Sequence, residues 1–230
     1  MRKITFTAAS LALAAVFAVA PAQAEGNPQG KVEVKLLATA VLTSGSVGSV
    51  PNDTAGLVSG GLVAQTAASN NEVPTLAIEY YLRPNFSLET ICCVSAHHVW
   101  ASAGALGGTM LVDHALVVPA TVTAKYHFTG IPGIEPYVGV GPTFFLWVAD
   151  RPSAAAKSLG ITRTKLSSNF GGVIQAGFDV PIGHGYGLTL DAKKYFVKTD
   201  AHFDTATADV EDVKLNLNPW VVSAGVSYRF

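Results

Sequence analysis

Apolar side chains fall on every second position through much of the chain. Trp220, Val222, Ala224, Val226, Tyr228 and Phe230 alternate with Val221, Ser223, Gly225, Ser227 and Arg229. A period of two puts the first set on one face of a strand and the small or polar set on the other. The pattern recurs in residues 76–82, 86–92, 118–128, 170–180 and 186–192, while 31–44 and 135–148 are strand-like with a less clear phase. About eight strands are predicted, most of them reaching, with their flanks, the roughly 9–11 residues that a tilted membrane-spanning strand needs. Their connections alternate in length. Residues 83–85, 129–134 and 182–185 read as short turns, mostly rich in Gly and Pro. Residues 45–71, 94–114, 149–167 and 198–211 read as long loops, the first of them partly extending its neighbouring strands.

Composition sharpens this picture. Hydrophobic residues make up 49% of the chain and charged residues 13%, with a mean hydropathy of +0.35. That is the balance of a membrane protein, yet after the N-terminal segment no run of 18 consecutive apolar residues appears. Backbone polar groups in hydrocarbon must be paired within the protein, which leaves the closed antiparallel barrel. A soluble secreted β-protein is the rival. The terminal strand argues against it, because a strand ending on Tyr228 and Phe230 is similar to the assembly signal of bacterial outer-membrane barrels.

The N-terminus sets the compartment. Arg2 and Lys3 precede an apolar run from Ile4 to Val19, then Pro21 and the small-x-small site Ala22-Gln23-Ala24. Residues 1–24 are therefore expected to be a cleaved signal peptide and residues 25–230 one transmembrane barrel domain in the outer membrane of a Gram-negative cell. Short turns would face the periplasm and long loops the exterior. Without Arg2 and Lys3, 13 Lys+Arg stand against 16 Asp+Glu (15 − 2 = 13), a net charge near −3 with no basic stripe for nucleic acid.

Candidate chemistry follows from strand phase. Glu79, Glu89, Lys125, Asp179, Asp191, Lys193 and Arg229 fall on inward faces. An eight-stranded barrel is wide enough only for side chains or one small ligand, so these groups are expected to pair as a salt-bridged plug at the periplasmic side. Trp100, Leu106, Met110, Phe145 and Trp147 would line an apolar mouth on the outside, with Phe144, Phe145 and Trp147 also candidates for the interfacial aromatic girdle. Adjacent Cys92 and Cys93 point to opposite faces of a strand, one thiol toward lipid and one at the loop base; a vicinal disulfide would need a break there. His97, His98, Asp113 and His114 lack metal-ligand spacing. Ser95 beside His97, with Asp113 as orienter, is the one arrangement resembling a hydrolase site. No enzyme, cofactor or metal site is expected, and no phosphate-binding glycine loop is present.

Several blocks resemble the OmpW family of small outer-membrane proteins. They are Pro119 to Phe128 ending in Tyr-His-Phe, Pro136-Tyr137-Val138-Gly139-Val140-Gly141, Gln175 to Asp179, Leu190 to Tyr195, and Asn218-Pro219-Trp220 running to Phe230. The stretch from Cys92 to His98 departs from the family pattern. The resemblance implies an eight-stranded barrel with a narrow lumen, giving a passive path for small hydrophobic molecules. Its partners would be outer-membrane lipid, the barrel-assembly machinery and small hydrophobic solutes, its oligomeric state being open. The alternative is a surface structural, adhesive or phage-receptor barrel without transport.

Overall fold

The computed structural model describes residues 31–43, 46–54, 56–206 and 209–230; the expected signal peptide lies outside them. The strands are β1 (Val32–Leu42), β2 (Ser46–Asp53), β3 (Gln65–Ala68), β4 (Asn71–Arg83), β5 (Phe86–Cys92), β6 (Ser95–Ala103), β7 (Met110–His127), β8 (Glu135–Pro152), β9 (Arg163–Leu166), β10 (Asn169–Gly183), β11 (Tyr186–Phe196), β12 (Lys198–Asp204), β13 (Asp209–Asn216) and β14 (Trp220–Arg229). One short helix, α1 (Ala154–Ser158), lies between β8 and β9.

Antiparallel ladders run β1–β4–β5–β7–β8–β10–β11–β14 and return from β14 to β1, with Leu42 opposite Trp220 and Glu33 opposite Arg229. The ring of ladders closes an eight-stranded barrel. Side chains alternate across that wall. On β11, Thr189, Asp191, Lys193 and Tyr195 are buried in the lumen while Leu188, Leu190 and Phe196 are exposed on the outside. Exposed Ile78, Val122, Val140, Ile174 and Val226 continue the outer apolar band. Rings gather at its two margins: Phe144 meets Phe170 at 4.6 Å at one, and Tyr186 meets Tyr228 at 4.8 Å at the other, beside Phe230. A band of this kind in lipid, edged by aromatics, is how such barrels sit in a membrane.

The turn joining β10 to β11 shows why that end is tight. Gly183, His184 and Gly185 all take positive φ (101°, 56° and 82°), the backbone that a two-residue hairpin needs to match strand twist. At the other end the predicted loops are mostly strand. Residues 94–114 form a hairpin of β6 and the start of β7; 198–211 carry β12 and the start of β13; and 45–71 carry β2 and β3. A second sheet, β2–β13–β12–β9, extends the barrel beyond the apolar band. The extension has its own core, Val112, Leu166, Ala201, Val213 and Leu215, which is why these segments order as strands. Loop composition hid that core, since its outward positions are polar and its strands short.

Candidate functional site

The lumen changes character along its axis, and three levels matter. The lowest is ionic. Lys125 Nζ lies 2.7 Å from Glu79 and 3.0 Å from Glu89; Lys35 Nζ lies 2.9 Å from Glu79 and 3.0 Å from Asp179; Lys193 Nζ lies 3.0 Å from Glu89 and 2.7 Å from Asp191. Gln175 Nε2 donates to Glu89 at 3.0 Å and to Asp191 at 2.6 Å, Tyr137 OH donates to Asp191 at 2.9 Å, and His127 Nε2 sits 2.8 Å from Glu79, which Ser87 Oγ also bonds. Arg229 stacks on Tyr81 at 3.5 Å, below the rest.

Six of the expected lumen charges thus meet in one network, with Arg229 at its periplasmic margin. Lys35, Glu33, His127, Tyr81 and Tyr137 belong to it as well and were not among the expected lumen residues, although His127 shares the inward phase of Lys125. Gly177 makes the packing possible: a Cβ there would come within 2.5 Å of the Tyr137 hydroxyl and 2.4 Å of the Leu190 carbonyl. Charges so deeply buried are tolerable only when each has several partners, and here they have them.

Above the network sit hydroxyl pairs, Thr39 with Ser223 at 2.9 Å and Thr121 with Thr143 at 2.7 Å. Next comes an apolar cavity of about 80 Å³ walled by Val41, Ile91, Val117, Phe145, Trp147, Tyr195 and Val221 among others. A cavity of roughly 150 Å³ holds a benzene, so this one holds an apolar molecule of a few heavy atoms as it stands. A second cavity of about 40 Å³ lies farther out, between β2, β6, β7, β12, β13, α1 and the segment 56–64. The two share Val99, Leu166 and Leu215 as a common wall.

Of the expected apolar mouth, Phe145 and Trp147 line the inner cavity. Trp100, Leu106 and Met110 line neither. On β6 the buried set is Ser95, His97 and Ala101, so Trp100 takes the outer face, 5.9 Å from the His98 ring and opposite Met110. Leu106 packs instead on Val63, Ala101 and Leu111 at the tip of the hairpin. Phe144, not Phe145 or Trp147, supplies the girdle aromatic, because Thr143, Phe145 and Trp147 share the inner face.

Cys92 is exposed on the outer face and Cys93 is buried against the inner cavity, and the two thiols are free. Ser95 Oγ lies 2.8 Å from His97 Nε2, and His97 Nδ1 lies 2.7 Å from the Ser69 carbonyl, which fixes Nε2 as the acceptor of the serine proton. Burial pushes the His97 pKa below the usual histidine value. Asp113 is not the orienter; it is exposed and 4.0 Å from His98. The pair therefore ties the chain before β4 to β6, assisted by Asn71 Nδ2 donating to the Ala96 carbonyl at 2.9 Å.

The wall beside the inner cavity is interrupted. The β4–β5 ladder ends at Leu76 opposite Cys92, and the β3–β6 ladder resumes at Ala68 opposite Val99. Between them β4 carries Pro74, which lacks an amide donor, and the chain breaks from β5 to β6 at Cys93-Val94.

Residues 28–230 match the OmpW family. The chain belongs to the OmpW family. The outer-membrane protein y4mB of Sinorhizobium fredii is 28% identical over 92% of this chain and 86% of its own length. Outer membrane protein W of Vibrio cholerae is 24% identical over 83% of this chain and 88% of its own length. The crystal structure of the outer membrane protein OprG from Pseudomonas aeruginosa superposes with a TM-score of 0.70 at 19% identity, covering 88% of this chain and 97% of OprG. The protein is accordingly an OmpW-family barrel of the outer membrane, with its outer apolar band in contact with lipid.

Proposed function

We propose that this OmpW-family barrel gives small apolar molecules a passive path from the cell exterior into the membrane. The observation that carries the reading is the vertical order of the lumen: apolar cavities stand above a dense ionic floor, with a layer of hydroxyl pairs between. An apolar solute gains by leaving water for those cavities, and crossing the floor would break charge pairs worth several kcal/mol. It leaves sideways, through the interrupted wall between Asn71–Thr75 of β4 and Cys93–Ala96, into the surrounding lipid. The Phe145 and Trp147 side chains rotate to admit anything larger than a few heavy atoms. In this reading the charged network is a structural plug, Tyr228 and Phe230 of β14 are what the assembly machinery recognises, and the barrel performs no chemistry on the solute.

The test is uptake of a small apolar tracer by liposomes carrying the refolded protein, beside a polar solute of equal size and a heat-denatured control. Selective, saturable uptake of the apolar tracer is expected. No uptake of either solute by a folded barrel overturns the reading and favours a surface-interaction role.

A further inference from the structure

Cys92 and Cys93 are the only cysteines of the chain, so within it each can pair only with the other. They stand at the interrupted wall. Cys92 closes β5: its rung with Leu76 is the last of the β4–β5 ladder, and its side chain is exposed on the outer face. Cys93 is buried, packs with Leu37, Ala77 and Ile91, and forms part of the inner cavity wall. In a continuous strand the two thiols would be held on opposite faces.

The strand is not continuous there. The β5–β7 ladder ends at Ile91–Thr121 and the β6–β7 ladder begins at Ser95–Val117. The two rungs share one register, which sets Cys93 level with Pro119 of β7. On the other side, the rung of Leu76 with Cys92 sets Val94 level with Pro74 of β4. Proline has no amide to donate. The ladders therefore skip Cys93 and Val94, whose backbone is free to turn while Leu76 holds Cys92 in place. The same register sets Cys92 level with Ala120, which stands opposite Phe144 of the aromatic margin. Cys92 thus lies at the edge of the apolar band, within reach of a water-soluble reagent.

We infer that Cys92 and Cys93 form a reversible vicinal disulfide, and that its formation opens the lateral exit. The second half rests on the transport reading; the first does not. The oxidant is a small external disulfide, R–S–S–R, in keeping with an oxidising compartment. The Cys92 thiolate attacks one of its sulfurs and R–SH leaves. Cys93 Sγ, brought to the outer face as its backbone turns, then attacks Cys92 Sγ and displaces the second R–SH. Two R–SH are formed and the protein loses two hydrogens. Neighbouring Cα atoms are about 3.8 Å apart, against about 4.4–6.8 Å across an ordinary disulfide. Such a bond is strained and readily reduced, as a switch requires and a permanent cross-link does not. Formation takes the Cys93 sulfur out of the inner cavity wall, at the place where that wall faces Thr75.

The experiment treats the refolded protein in liposomes with oxidised glutathione, then alkylates remaining thiols and weighs the intact chain. A species lacking two hydrogens, free of glutathione and resistant to alkylation until reduced, is expected. Cys93→Ser should stop at a glutathione adduct on Cys92, and Cys92→Ser should take up none. A stable glutathione adduct in the unaltered protein with Cys93 still open to alkylation, a cross-linked dimer, or an unchanged mass overturns the disulfide. Apolar-tracer uptake is measured on the same samples. Oxidation should raise its initial rate at least threefold in the unaltered protein, reversibly, and leave the Cys92→Ser/Cys93→Ser protein unaffected. An unchanged rate in protein shown to be oxidised overturns the opening. No uptake by reduced and oxidised protein alike overturns the transport reading and the opening with it, while the mass alone decides the disulfide.

Discussion

Lys125 and Glu79 meet at 2.7 Å in the lumen with neither side chain exposed to any degree. Both belong to wider sets: Glu79 also faces Lys35 and His127, and Lys125 also faces Glu89 and the Tyr137 ring at 3.7 Å. A network closed in this way fixes the relative positions of β1, β4, β5, β7 and β8 across the barrel axis.

Lys125→Met removes one cation from between two buried carboxylates. The expected cost is about 3–5 kcal/mol, the range for breaking a buried pair on one side. Lys157→Met on α1, an exposed position, should change stability by less than about 0.5 kcal/mol. Urea unfolding of both variants in lipid vesicles measures the difference. Equal effects would mean that the network contributes no more than a surface charge.

How much of this was legible in the sequence follows from how the lumen is layered. β11 keeps small or polar groups on its inner face from Gly187 to Lys193, so Asp191 and Lys193 could be assigned inward from alternation. β1 does not. Its inner face runs Glu33, Lys35, Leu37, Thr39, Val41 as it climbs from the ionic floor to the apolar cavity. Hydrophobic residues then fill both faces near Leu36-Leu37-Ala38, and the strand phase blurs at the position where Lys35 had to be placed. The signal was present in the outward set Val34, Leu36, Ala38, Ala40. β6 misled for a related reason: Trp100 looked like cavity lining because of its size, yet Ser95, His97 and Ala101 define the inner face. The Glu211–Asp53 pair was invisible, since only ladder register brings residues so far apart in the chain opposite each other.

The interrupted wall can be stapled. Thr75 on β4 faces Cys93 across the place where the β4–β5 ladder stops. In a Cys92→Ser background, oxidising a Thr75→Cys variant should join it to Cys93 and reduce apolar-tracer uptake at least tenfold. Reduction should restore uptake. Undiminished uptake by the oxidised, cross-linked protein would place the exit elsewhere.

Cys93 also reports on the cavity. It is buried on the inner side, in a wall made almost wholly of hydrocarbon. In the Cys92→Ser background, an uncharged methanethiosulfonate should modify it at least tenfold faster than a sulfonated one of similar size. Val117→Trp, which fills the cavity, should slow the uncharged reagent. Equal rates for the two reagents would indicate a water-filled lumen and contradict the apolar path.

The Glu211 carboxyl makes outer-region stability depend on pH with a definite sign. Its folded pKa is raised to about 8, chiefly by burial, so the folded state holds a proton that the unfolded chain gives up near the ordinary glutamate value of about 4.3. The contribution is therefore complete below that value, declines as pH rises toward about 8, and is flat beyond. Asp53 works in the opposite direction, since its carboxyl is depressed: its contribution is present above the ordinary aspartate value and lost below it, and between pH 5 and 8.5 it remains charged. Glu211→Gln cannot ionise and escapes the decline. Relative to the unaltered protein, its thermal midpoint should thus gain about 2–4 °C on going from pH 5 to pH 8.5, the shift expected for about a kilocalorie per mole in a domain of this size. Circular dichroism melts at the two pH values measure it, and a midpoint difference that is the same at both would show that Glu211 titrates as an ordinary surface acid.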